Sequence, residues 1–357
     1  MTDIDQATDV REGEELDRES LEAWLEAEVD GITAPIAVEQ FPSGHSNLTY
    51  LIRDDAGDEF VLRRPPHGAH VETGHDMSRE WRVLSALEGN YPKIPRPVVY
   101  CDDESVVGAH FYVMERVRGV ILRGSNPSVE GLDAATYEAL SETFVDEFAA
   151  IHAVDYEEAG LGEFGRPDGY VTRQVDGWID RYHKSQTDEI PGMERAGEWL
   201  RDNMPSETSG AALIHNDFKY DNFVLDPDDL TEVVAVLDWE MATVGDPLMD
   251  LGTSLAYWIQ PDDPEILQQL DLSPTMREGN YTRQQIVDRY EEVSGRDCSE
   301  ILFYYVYGLY KVGVIGQQIY YRFDQGHTDD QRFAMLIHAV KALASHAEAT
   351  LDRGTIG

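Results

Sequence analysis

The sequence predicts an α+β protein with a small antiparallel β-rich N-terminal lobe followed by a larger helical C-terminal lobe. Three observations predict it. Short apolar runs separated by Gly, Pro and acidic turns fill the chain up to about residue 117. After Gly119 the apolar residues recur at helical spacing instead. Between the helical segments one stretch, ALIHNDFKYDNFVLD, ending at Asp226, sets a His, a Lys and several Asp and Asn between two apolar runs. At 357 residues the chain is long enough for two lobes, and at 42% hydrophobic residues it can bury a core.

The elements follow in order. Residues 1–18 read as a disordered acidic leader, and Glu19–Val29 as a short helix. IAVEQFPSGHSNLTYLIRDD reads as strand, Gly-containing turn and strand; DEFVLRRPP is a third strand stopped by Pro65 and Pro66. Ser78–Leu87 is helical with Trp81, Leu84 and Leu87 on one side. PRPVVYCDDESVVGAHFYVMERVRG gives two further strands joined by an acidic turn. The first lobe is thus expected over 19–117 and the second over 118–357. Helices are expected at about 134–153, 174–187, 192–204, 247–258, 283–294, 299–323 and 329–350. A cleft between two such lobes is where a ligand would be sought.

Composition narrows the partners. The net charge is −41, and only five of the 28 basic residues are Lys: Lys93, Lys184, Lys219, Lys311 and Lys341. Such a chain repels nucleic acid and anionic membranes. Its self-repulsion is relieved only by strong screening, which implies a salty cytoplasm of halophilic type. Cys101 and Cys298 have no metal or redox spacing. The N-terminus has no apolar core of a secretory signal, and the apolar run ILFYYVYGLYKVGVIGQQIYY carries Lys311, Gln317 and Gln318. The expectation is a cytoplasmic protein with no membrane partner.

The chemistry concentrates in HNDFKYDN. Asp217 and Asn222 are five residues apart with Lys219 between them. If the strands on either side pair as a hairpin, Asp238, at the end of the next apolar run, returns near Asn222. Hard oxygen ligands with open positions suit Mg²⁺. A carboxylate beside them can take a hydroxyl proton, and Lys219 can offer positive charge to a phosphate.

This pattern, H-x-D-x-K-x-x-N over 215–222 followed by Asp238 in LDWE, resembles the protein-kinase-like fold and, within it, the aminoglycoside phosphotransferase family. The wording of VLRRPP, REWRVLSAL, FYVMERV, LDWE and GDPLMDLG is especially similar to kinase-like domains found alone or fused to acyl-CoA dehydrogenases. The resemblance implies ATP and Mg²⁺ as cofactors. It implies Asp217 as the base that orients the acceptor hydroxyl, Lys219 as a γ-phosphate contact, and Asn222 and Asp238 as metal ligands. It places Gly44, Ser46 and Asn47 in a loop over the phosphates. It puts Arg63 where the fold usually has Lys, paired with Glu80 of the following helix, with Arg64 as the fallback. It assigns adenine contacts to the backbone of Glu115 and Val117, with Met114 lining the pocket. Asp250 would brace the loop, and His215 is a bracing residue as well.

The implied reaction is phosphorylation of a hydroxyl on a small molecule, a hydroxyacyl-CoA or another hydroxylated metabolite. The alternatives are an aminoglycoside or amino-alcohol kinase, and a catalytically silent nucleotide-binding protein. A CoA thioester would call on Arg166, Arg173, Arg181 or Arg322. His45, His67, His70 and His75 read as loop residues, His152 as packing, and the stripe Phe303, Tyr304, Tyr307, Tyr310 and Tyr320 as core.

Overall fold

A computed structural model of the chain describes residues 6–42, 47–66, 76–124, 131–206, 209–270, 273–328 and 330–357. Their elements run, in chain order, α1 (Arg18–Glu28), β1 (Ala37–Gln40), β2 (Leu48–Arg53), β3 (Glu59–Arg64), α2 (Met77–Leu87), β4 (Pro97–Cys101), α3 (Glu104–Val107) and β5 (Phe111–Glu115). Then come α4 (Ala134–His152), α5 (Tyr170–Ser185), α6 (Pro191–Asp202), β6 (Ala212–Ile214), β7 (Phe223–Leu225), β8 (Val233–Val236) and β9 (Thr243–Gly245). The rest is helical: α7 (Pro247–Tyr257), α8 (Glu265–Gln268), α9 (Arg283–Ser294), α10 (Ile301–Asp324) and α11 (Leu336–Arg353). This is the expected α+β composition, with helix ends shifted by a few residues. The last expected helix starts later, after a 3-10 turn at Gln331–Met335.

The chain forms two compact units. The first is Met1–Ile121 with Phe223–Ala242, the second Leu122–Asn222 with Thr243–Gly357. A cut at 117/118 therefore does not describe the chain, because β7 and β8 return to the first unit. They do so through an antiparallel bridge in which Val120 N–H donates to Leu225 O and Leu225 N–H to Val120 O, both at 2.9 Å. Gly119 makes that approach possible: a Cβ there would lie 2.4 Å from Leu225 O.

The first unit holds a five-stranded antiparallel sheet in the order β1-β2-β3-β5-β4. One face packs Leu21 and Leu25 of α1 with Tyr50, Ile52, Leu62, Phe111 and Val113. Of the expected leader, residues 6–17 are described, and they pack on this unit. Thr8 pairs with Gln40 on the sheet edge, Tyr50 O–H donates to Glu14 O at 2.6 Å, and Val10 and Leu16 pack against the core. The acidic composition suggested a solvated tail, but two apolar side chains and an open strand edge suffice to hold it. Helix α2 is capped by Asp76 and buries Met77, Glu80, Val83, Leu84 and Leu87. Trp81, expected on that face, is only half-buried, near the rings of Tyr100 and Tyr112.

In the second unit, α10 is the central helix, packed on α5, α6, α7 and α11. It meets α7 backbone to backbone. A Cβ on Gly252 would sit 2.0 Å from Tyr304 O, and one on Gly308 would sit 2.0 Å from Gly252 O. Phe303, Tyr304, Tyr307 and Tyr310 are buried as expected, and Tyr320 is half-buried.

Candidate functional site

The strands flanking the polar loop do not pair with each other. β6 pairs with β9, and β7 pairs with β8. The tight link is the acidic turn after β7, where Asp226 N–H donates to Glu232 O and Asp226 Oδ1 accepts from Asp228 N–H. The expected hairpin thus forms one strand later. Residues 215–222 are freed to build a loop that ends in a 3-10 turn at Tyr220–Asn222.

That loop is held from α7. Asp250, fully buried, accepts His215 N–H at 2.6 Å and Asn216 N–H at 2.8 Å. It also accepts His152 Nε2–H at 3.2 Å, and His152 Nδ1 lies 2.7 Å from the Tyr290 hydroxyl. Burial pushes the His152 imidazole down, against the pull of Asp250. A neutral ring that donates from Nε2 and accepts the Tyr290 proton at Nδ1 fits both contacts. Burial would raise the Asp250 carboxyl, but the hydrogen bond from His152, helped by the nearby Lys311, outweighs it and holds the group low. Farther along, Ser254 O–H donates to Phe218 O at 2.6 Å, and the Phe218 ring stacks on Phe148 at 4.2 Å.

Held this way, the loop brings three of the sequence-predicted residues together. Lys219 Nζ lies 3.0 Å from Asp217 Oδ2. Asn222 Nδ2 donates to Asp217 O at 2.8 Å and to Asp217 Oδ2 at 3.2 Å. Asn222 therefore has its Oδ1 to offer a cation. Burial alone would lower the Lys219 ammonium, but Asp217, with Tyr257 and Asp221 behind it, reverses this and raises it. His215 braces as expected, its Nδ1 accepting Asp217 N–H at 3.3 Å.

A second group lies within the first unit. Arg63 of β3 donates to Glu80 Oε1 at 2.7 Å and to Asp238 Oδ1 at 3.0 Å, and Glu240 Oε2 lies 3.5 Å away. Arg63 Nε is buried with no hydrogen-bond partner among the described residues. Glu80 also accepts Trp239 N–H at 3.2 Å, and Asn47 Nδ2 donates to Glu240 at 2.6 Å. Burial raises the Glu80 carboxyl, and Arg63 counters it. Arg64, the fallback, turns away from this group, donating to Pro65 O and Val107 O. Asn216 and Asp238, one in each group, are the non-glycine residues with positive φ, both at 68°, among those described. Such strain gathers at functional sites, and Asn and Asp tolerate it best.

Met114 is buried on β5, and Glu115 N–H donates to Arg96 O at 2.9 Å. Gly44, Ser46, His45, His67, His70 and His75 lie outside the described residues. Of the Arg candidates, Arg173 turns onto Asp168 O and Arg166 O, and Arg181 lies over the Trp178 ring at 4.6 Å. Sequence reasoning missed Glu240, Lys311 and the tie between His152, Asp250 and Tyr290. Glu240 stood in view in LDWE, and Lys311 stood out as a lysine inside an apolar helix of a lysine-poor chain. Among the described residues no three His, Cys, Asp or Glu side chains gather as metal ligands, and no helix is long and apolar enough to cross a membrane.

Comparison with known proteins identifies the family and the fold. Residues 37–279 match the phosphotransferase enzyme family. Over 341 residues the chain is 31% identical to human acyl-CoA dehydrogenase family member 11, an alignment covering 92% of this chain and 42% of that protein. The chain thus spans about two-fifths of the length of that relative. A crystal structure of a Ralstonia eutropha protein, provisionally assigned as an aminoglycoside phosphotransferase, superposes with a TM-score of 0.80 at 30% identity. That match covers 95% of this chain and 99% of the other. The GDP complex of aminoglycoside 2'-phosphotransferase-IIIa superposes with a TM-score of 0.61 at 15% identity, covering 93% and 99%, and so shares the fold.

Proposed function

Because the chain belongs to the phosphotransferase enzyme family, we propose that it transfers the γ-phosphoryl group of ATP, with Mg²⁺, to a hydroxyl of a small molecule. One observation carries the reading: Asp217 is presented by a loop clamped at two consecutive amides by Asp250, with Lys219 and Asn222 on its carboxylate.

In this reading Asp217 accepts the proton of the acceptor hydroxyl. The hydroxyl oxygen bonds to the γ-phosphorus, the bond from that phosphorus to the bridging oxygen breaks, and ADP leaves. Lys219 offsets charge on the transferring group. Arg63, oriented by Glu80, would reach the α/β-phosphates, for which its planar guanidinium is suited. Asn47, tied to Glu240, would stand beside the phosphates in this reading. The Glu115 amide is committed to Arg96, so adenine would be met by the Glu115 carbonyl and the Val117 backbone beside Met114. Asn222 Oδ1 and the Asp238 carboxylate are each hard oxygen donors of the kind Mg²⁺ prefers, and in this reading they would hold it. When bound there, Mg²⁺ supplies positive charge to the phosphate oxygens.

The acceptor class follows the acyl-CoA dehydrogenase relatives: a hydroxyacyl-CoA or a similar hydroxylated metabolite. Arg181, stacked on Trp178, would offer one cation to an anionic acceptor. The test is a metabolite extract at high salt, incubated with ATP and Mg²⁺ and read by mass for phosphate addition. Wild type should give a product, and Asp217→Ala should give none while still binding nucleotide. Nucleotide binding with no product from any extract would leave the protein a silent nucleotide binder. A phosphorylated aminoglycoside or amino alcohol would move the acceptor to the amine-bearing class.

A further inference from the structure

Lys311 of α10 is a buried lysine that the reaction above does not use. The close crossing of α7 and α10 at Gly252 and Gly308 carries it to the underside of the polar loop. There its Nζ lies 3.2 Å from Asn216 O, 3.3 Å from Asn216 Oδ1 and 3.4 Å from Thr253 Oγ1, and 5.9 Å from the centre of the Trp178 ring. Asn216 is the left-handed residue immediately before Asp217, and its amide is already held by Asp250. One residue is thus gripped from both sides, its N–H by a carboxylate on α7 and its carbonyl by an ammonium on α10.

We propose that Lys311 is a positioning residue: by holding the carbonyl and side chain of Asn216 it fixes the direction in which Asp217 meets the acceptor hydroxyl. The inference rests on the catalytic reading of Asp217. A left-handed asparagine costs backbone energy and relaxes unless something holds it. Rotation of the Asn216–Asp217 peptide would swing the carboxylate away, and a displacement near 1 Å at a reacting group costs about a hundredfold in rate.

The charge matters as well as the reach. Burial pushes the Lys311 ammonium down to about 8, with Arg181 of α5 adding to it and Asp250 of α7 and Asp217 of the loop opposing it. A neutral amine keeps two N–H donors for three oxygen acceptors, so the grip loosens on deprotonation.

The test uses the whole chain and two independent readouts. Phosphate release from ATP·Mg²⁺, with water as acceptor, is followed against pH for wild type and Lys311→Met. Peptide-resolved hydrogen exchange is followed over residues 213–220. Wild type should lose kcat on an alkaline limb near pH 8. Lys311→Met should melt cooperatively, bind nucleotide as wild type does, show a pH-flat kcat lower by about tenfold or more, and exchange faster at 213–220. Should the variant not fold, the five lysines of ¹³Cε-lysine-labelled wild type allow the same decision. One resonance should titrate near pH 8, and exchange at 213–220 should rise through that pH beyond its intrinsic base dependence. Unchanged exchange and an unchanged alkaline limb in Lys311→Met, or no lysine titrating below the ordinary range, would overturn the proposal. Wild type with no phosphate release would instead count against the transferase reading, and the exchange measurement would still decide the role of Lys311.

Discussion

At Arg63 three carboxylates, from Glu80, Asp238 and Glu240, meet one guanidinium. A lysine would present one point charge to them; the planar fork of Arg reaches two acids at once and leaves Nε over. Removing this cation strands a buried Glu80, so Arg63→Met should cost about 3–5 kcal/mol in a denaturant titration. A loss below 1 kcal/mol would mean that the pair does not hold β3 to α2. Lys311 has the opposite economy. Its folded value of about 8 lies below the ordinary 10.5, so between those values the unfolded chain binds more protons. The penalty is present in full below pH 8 and fades as the pH rises toward 10.5, by up to about 3 kcal/mol. Stability of wild type should therefore climb across that window relative to Lys311→Met, as read by melting at fixed salt. Asp217, Lys219 and Asn222 were legible in the sequence because one loop carries them all. Glu240 and Lys311 were not, because their meaning lies in partners far along the chain.

Among the elements, the crossing of α7 and α10 sets the geometry beneath the loop. Neither Gly252 nor Gly308 has room for a Cβ, since each faces the other helix's backbone rather than a flexible side chain. Gly308→Ala should destabilise the chain by about 1–3 kcal/mol through overpacking. It should also push α10 outward and move Lys311 from Asn216, so hydrogen exchange at 213–220 should rise with it. A fall in melting temperature without that rise would separate the crossing from the loop. The strands and helices themselves were legible, because apolar spacing reports which segments can bury a face. Partner choice was not: β6 and β7 look like a hairpin in sequence, yet each pairs with a later strand, and β9 has only three residues by which to announce itself. Residues 6–17 misled for a related reason, since Val10 and Leu16 are two apolar residues in an acidic run.

At the scale of the whole molecule, linear order hid the return of residues 223–242 to the first unit, because nothing local distinguishes a strand that stays from one that crosses. The net charge of −41 was plain throughout. Its ion pairs fall into two kinds. Arg195 with Asp352 and Lys184 with Asp180 are exposed, and salt will erase the little they contribute. Arg63 with Glu80 and Arg283 with Asp263 are buried and shielded from ions. What remains for salt to act on is the mutual repulsion of the acidic surface. Between about 0.1 M and about 1 M the Debye length falls from roughly 10 Å to roughly 3 Å. Repulsion between neighbouring carboxylates should be largely removed, while the buried pairs persist. The melting temperature should therefore rise steadily with KCl over that range, as measured by scanning calorimetry at constant pH. The rise should be as large in NaCl, since screening depends on ionic strength and not on the identity of the cation. A flat or falling curve would mean that the acidic surface is already neutralised by its own geometry, and that the charge is no adaptation to salt.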